Sequence, residues 1–205
     1  KNHRFIMSPI YIVICVLLIA NCAAVPSEYQ IPIPPDTRNV ISQIAIVLDE
    51  TCTLSTDLSA APPPAEGFNL GTMSDITIER WLERAAKYAK ISAPVFVHSF
   101  IYLHRWSVQQ ETLTLWNIDK LVAAAVTVAH KNHDDNFYAN SWYAQIFGLQ
   151  AEELNRLERN FLQQIEFDLF VSPDTYQKAV KFLRYWSVKI FEDEGDAPGQ
   201  RGLLD

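Results

Sequence analysis

The chain has 205 residues, 49 % of them hydrophobic and 20 % charged, with a formal net charge of −7. That apolar content builds a core and excludes a wholly disordered chain. The negative balance is the wrong sign for a phosphate-backbone binder, and three cysteines, all before residue 53, exclude a disulfide scaffold. Between residues 72 and 194 there is one glycine, Gly148, so the body holds neither a P-loop nor a dinucleotide-binding glycine fingerprint.

Composition divides the chain in three. Residues 1–71 hold eight of the eleven prolines, including Pro32, Pro34, Pro35 and the run Pro62-Pro63-Pro64, and read as an extended, poorly packed leader. Inside it, residues 10–20 are unbroken apolar sequence, preceded by Lys1 and Arg4 and followed by the small residues Cys22, Ala23 and Ala24. That is a signal-peptide pattern, too short to span a bilayer; a buried strand or helix is the other reading. Residues 72–191 form the folded domain, with thirteen basic and thirteen acidic residues up to Phe191. Residues 192–205 are acidic, contain three glycines, and read as a solvated tail.

The domain reads as all-α. Ser74 or Asp75 is placed to cap a first helix with Ile78, Trp81, Leu82, Ala85 and Ala89 inward. Ser92 followed by Pro94 opens a second, with Val97, Phe100 and Ile101 inward. A third starts at Thr114 or Asn117, and residues 121–129 carry no charge at all. A helix apolar on every side is surrounded by other helices, so this one is central. A short fourth helix over residues 140–147 stops at Gly148, a residue suited to the left-handed C-terminal position. The fifth carries the stripe Leu154, Leu157, Phe161 and Ile165, and Ser172-Pro173-Asp174 opens a last helix to about Ile190.

Catalytic patterns are sparse. The domain has no Gly-x-Ser-x-Gly, no His-Glu-x-x-His and no cysteine to serve as a nucleophile. His130, His133 and Asp134 are the one metal-like grouping, although histidines at a helix C-terminus also suit the helix dipole. His98 and His104 are six residues apart and read as packing or surface residues. Lys131 is the first charge after the central apolar run, and Glu158 sits at the edge of the fifth helix's stripe with Leu162 one turn on. By pattern, Leu162 is either a peripheral core residue or part of a partner surface.

Five segments together resemble the cyclin box: residues 76–92 (ITIERWLERAAKYAKIS), 95–106 (VFVHSFIYLHRW), 113–135 (LTLWNIDKLVAAAVTVAHKNHDD), 138–148 (YANSWYAQIFG) and 153–173 (ELNRLERNFLQQIEFDLFVSP). The resemblance covers about half of the chain. It is to the single-box PHO-type cyclins and the P-type (U-type) cyclins of plants. It implies a five-helix domain around a central third helix, with a C-terminal helix added. It also implies a non-catalytic regulatory subunit with no cofactor and no metal. Its partner would be a cyclin-dependent kinase, bound as a heterodimer beside the helix that carries the kinase's catalytic Glu. The family's kinase-contacting Lys and Glu fall on Lys131 and Glu158, and its apolar contacts on Val128, Leu162, Phe167 and Leu169. Leu162 is thereby assigned to the partner surface. Cytoplasm or nucleus is the implied location, with neither nucleic acid nor membrane as a partner unless residues 10–20 are a signal or anchor.

Two departures qualify this. Many cyclins have Asp at the position of His104, paired with an Arg where this chain has Asp75, so the resemblance predicts a charge-swapped Asp75–His104 contact. The first helix also lacks the Met-Arg-x-x-Leu of the substrate-docking groove, since the aligned stretch is Ser74-Asp75-Ile76-Thr77-Ile78. The sequence leaves three rival readings. They are a cyclin-fold transcription factor or other scaffold without kinase activation, a small metal enzyme using His130 and His133, and a secreted helical protein.

Overall fold

A computed structural model describes residues 36–71, 74–110 and 112–195. The apolar segment 10–20 and the tail beyond residue 195 lie outside the described residues. Seven α-helices and no strand occur among the described residues: α1 (Thr37–Ser55), α2 (Ile78–Ala89), α3 (Ala93–Gln109), α4 (Ile118–His133), α5 (Asn140–Phe147), α6 (Ala151–Gln164) and α7 (Pro173–Gly195). No described helix is long and apolar enough to cross a membrane.

The all-α expectation holds, and α4 is the central helix. It touches α2, α3, α5 and α6, and from Ile118 to His130 every residue but Asp119 is buried. Ala123, Ala124, Ala125 and Ala129 let the neighbouring helices approach its backbone. The inward residues read from each stripe are buried, from Ile78 and Trp81 on α2 to Phe161 at the end of α6 and Ile165 just after it. α5 ends at Gly148, whose φ of +67° is the left-handed conformation glycine adopts without strain.

Two boundaries differ from the sequence reading. The first is the cap of α2. Thr77 takes that position, its Oγ1 accepting the Arg80 N–H at 3.2 Å, while Ser74 Oγ accepts the Ile76 N–H at 3.1 Å in the turn before it. The second is larger. Residues 37–55, placed by their proline-rich surroundings in an extended leader, form α1. Its Val40, Ile41, Ile44, Ala45, Val47, Leu48 and Cys52 are buried, and it packs on α7, α2 and α3. The folded unit therefore begins well before residue 72. The prolines stand on either side of α1, and a helical apolar spacing runs between them.

The link between α1 and α2 is also tied to the body. Thr56 Oγ1 accepts the Leu115 N–H at 2.9 Å, and the Leu70 N–H donates to the Trp116 carbonyl at 2.9 Å. Phe68 is buried edge-on between Trp106 and Phe161. Lys120, on central α4 and 8 % exposed, donates to the Asn69 carbonyl at 3.0 Å and pairs with Glu153 on α6 at 2.9 Å. A buried lysine tolerates its charge only with such partners.

Candidate functional site

The charge-free run of α4 ends at His130, and the next residue, Lys131, emerges where α4 leaves the core. Glu158 sits at the edge of the buried stripe of α6. Packing of α4 against α6 brings the two together: Lys131 Nζ donates to Glu158 Oε1 at 2.6 Å, with the side chains 27 % and 14 % exposed. The other carboxylate oxygen accepts from Asn140 Nδ2 at 2.6 Å, and the same amide donates to Asn155 Oδ1 at 2.6 Å. Asn140 Oδ1 is buried and accepts no hydrogen bond. These residues line an open cleft of about 600 Å³, walled also by Phe137, Tyr138, Ala139 and Arg159.

Beyond the cleft, α6 ends abruptly. Glu166 and Phe167 both take left-handed φ values, 53° and 56°, and the Phe167 N–H returns to the Leu162 carbonyl at 2.8 Å. Non-glycine residues adopt this conformation at a cost, so the turn is held by its surroundings. Its effect is to project Phe167, 63 % exposed, and to leave Phe170, 77 % exposed, standing from the surface. Leu162 and Leu169 are half-buried and pack against the core.

Of the predicted contact residues, Lys131 and Glu158 are joined, and Phe167 is fully presented. Leu162 and Leu169 each show one side. Val128 is a correction: it is 3 % exposed, because it shares the face of Lys131 but lies one turn earlier, where α4 is still surrounded by the core on every side. It supports the surface from beneath and does not belong to it. Sequence reasoning missed Asn140, Asn155, Phe137 and Phe170. Asn140 and Asn155 are surface-type residues whose roles depend on α5 meeting α6, and no spacing in one helix signals that.

His98, His130 and His133 are engaged internally. His130 is buried; Tyr143 Oη lies 2.7 Å from its Nδ1, and Asp134 Oδ2 lies 3.0 Å from its Nε2. Burial holds its pKa below the ordinary value, while the Asp134 carboxylate opposes that shift. His133 lies against His98 with ring centroids 3.6 Å apart and planes tilted by 42°, and His98 Nδ1 meets the Pro94 carbonyl at 2.8 Å. The expected Asp75–His104 contact is not formed. Asp75 is exposed on the turn before α2, and the charged neighbour that depresses the pKa of His104, after burial, is Arg105.

Comparison with known proteins agrees with this architecture. The cyclin family profile matches residues 34–169, which includes α1 and ends beside Phe170. The chain belongs to the cyclin family. It is similar to Cyclin-U4-1 of Arabidopsis thaliana, 38 % identical over 111 residues, covering 53 % of this chain and 55 % of that one. It is 31 % identical to Cyclin-U4-3 of the same plant over 159 residues, covering 77 % and 72 % of the two chains. Cyclin-P2-1 of Oryza sativa subsp. japonica is 35 % identical over 120 residues, 58 % of this chain and 55 % of that one. This cyclin therefore spans about half the length of two of these relatives. Its likeness is to the plant U and P types, and membership supports a cyclin-type regulatory role.

Proposed function

We propose that this cyclin is the regulatory subunit of a cyclin-dependent kinase, which it binds through Lys131, Glu158, Leu162, Phe167 and Leu169. The observation that carries the reading is the Lys131–Glu158 pair, set in an open cleft beside a projecting apolar turn. A half-buried charge pair beside exposed aromatic residues is the pattern of an interface hot spot, polar anchors flanked by apolar contacts. Lys131 uses one of its three donors on Glu158, and the carboxylate keeps lone pairs beyond those taken by Lys131 and Asn140. Both remain able to bond the backbone of an incoming segment through charge-assisted hydrogen bonds.

In this reading the incoming segment belongs to the kinase helix that carries its catalytic Glu. Contacts made only when that helix is swung inward shift the kinase toward the arrangement in which Lys and Glu pair for phosphoryl transfer. The cyclin contributes binding energy and no catalytic group. The same reading places it in the cytoplasm or nucleus with its kinase.

The test compares the purified chain with Lys131→Ala/Glu158→Ala. Co-purified kinase and phosphorylation of a generic substrate are scored together. Loss of a hot-spot pair costs about 2 kcal/mol, so recovery falls about thirtyfold. Equal recovery with both forms refutes the interface; absence of any kinase with the unaltered chain refutes the function.

A further inference from the structure

Arg105 stands on α3 with its side chain 18 % exposed, and it directs its guanidinium at one loop. Nη1 donates to the Asp168 carbonyl, Nη2 donates to the Phe170 carbonyl at 2.7 Å, and Nε lies 3.3 Å from the Asp168 carboxylate. Tyr102, one turn earlier on the same helix, donates its hydroxyl to the Leu169 carbonyl at 2.9 Å. That hydroxyl in turn accepts from Asn132 Nδ2, on α4, at 3.2 Å. Three consecutive carbonyls, 168 to 170, are thus held by one face of α3.

The loop so held is the one that exposes Phe167 and Phe170. Two phenylalanine rings that open to water within four residues are an unfavourable use of apolar surface unless something covers them. The hydrophobic effect favours folding both rings back over the α6–α7 junction. Fixing the carbonyls between them opposes that collapse, and so does the left-handed pair Glu166–Phe167 at the start of the loop.

We propose that Arg105, assisted by Tyr102, is a positioning residue that presents Phe167 and Phe170 as a two-ring knob to the kinase partner. The proposal rests on the reading of this face as the kinase interface. The chemistry requires Arg. A planar fork with donors in fixed directions reaches two carbonyls and a carboxylate at once, whereas one lysine ammonium cannot hold all three. The knob fits a shallow apolar recess on the partner, flanked by polar backbone for Lys131 and Glu158.

The experiment uses Arg105→Lys and Tyr102→Phe in the full chain. Amide hydrogen exchange is followed across the peptide containing residues 165–171, and affinity is measured for the kinase recovered with the unaltered chain. Arg105→Lys is expected to keep its helical content and cooperative unfolding. Exchange over 166–170 rises about tenfold or more, and kinase affinity falls about tenfold. Tyr102→Phe moves both in the same direction by less, and it carries the test if Arg105→Lys does not fold. Unchanged exchange in both variants overturns the clamp. Faster exchange with unchanged kinase affinity overturns the docking role while leaving the Lys131–Glu158 interface standing. If the unaltered chain binds no kinase, the docking role falls together with the functional reading, and exchange alone decides whether Arg105 orders the loop.

Discussion

Breaking the Lys131–Glu158 pair from each side has unequal costs that follow from the surroundings of its two halves. Lys131→Ala leaves the Glu158 carboxylate, 14 % exposed, with the Asn140 amide as its remaining donor at 2.6 Å. A fully buried charge stripped of its partner costs about 3–5 kcal/mol, and the surviving amide and slight exposure bring this to about 2 kcal/mol. Glu158→Ala leaves Lys131, 27 % exposed and at the C-terminal end of α4. The helix dipole favours a cation there and the long stem swings to water, so the loss is about 1 kcal/mol. The double variant removes both charges and leaves neither uncompensated, at about 1.5 kcal/mol, which makes the coupling about 1.5 kcal/mol. Urea unfolding of the four chains, read by circular dichroism, measures this cycle. Single losses below about 0.5 kcal/mol that simply add would refute the reasoning and make the pair a screened surface contact. The outcome also bears on function. A loss of about 1.5 kcal/mol is well below the stability of an ordinary domain, so the double variant stays folded and any lost kinase is lost at the interface.

Four further outcomes are expected. Asp49 has its pKa raised to about 6, by burial first and then by the charges of Glu79 and Asp119. The penalty of ionising it is absent below the unfolded pKa near 4 and fully present above 6, so this contribution to stability falls as pH rises between them. Asp49→Asn therefore stabilises the fold at pH 7, by about 1 kcal/mol after allowance for its partial exposure, with no gain at pH 4; equal gains at both values count against it. Tyr143→Phe removes the buried hydroxyl that meets His130 Nδ1 at 2.7 Å and accepts the Tyr138 N–H at 3.2 Å, costing about 1–3 kcal/mol in chemical denaturation. Gly148→Ala is forced to hold φ near +67° with its new Cβ 3.4 Å from the Trp81 ring, and its unfolding midpoint drops by the equivalent of about 1 kcal/mol. A chain starting at residue 72 loses the buried face of α1, whose large side chains contribute about 1.5–3 kcal/mol each, and calorimetry should show no cooperative transition.

Much of this molecule is written locally. Ser92 with Pro94, Gly148, and Pro173 with Asp174 mark helix ends because caps, fixed φ and left-handed φ are properties of single residues. The uncharged run after Lys120 placed α4 at the centre because only a surrounded helix needs no polar face. The same stripe logic was available for α1 in Val40, Ile44 and Leu48, but flanking prolines outweigh it when composition is averaged over seventy residues.

What tertiary structure decided are the contacts that join distant residues. Lys131 and Glu158 were each visible as charges at the margin of a core stripe, and only the packing of α4 on α6 sets them 2.6 Å apart. Val128 was assigned to the surface by alignment, and it is buried because α4 is still enclosed by its neighbours one turn before Lys131. Asn140 reaches Glu158 across eighteen positions, and Arg105 reaches Phe170 across sixty-five. A sequence fixes which faces of each helix must be hidden, since that depends on spacing along one chain segment. Which polar groups then meet at the margins depends on the crossing of two helices, and that geometry is settled by the whole core at once.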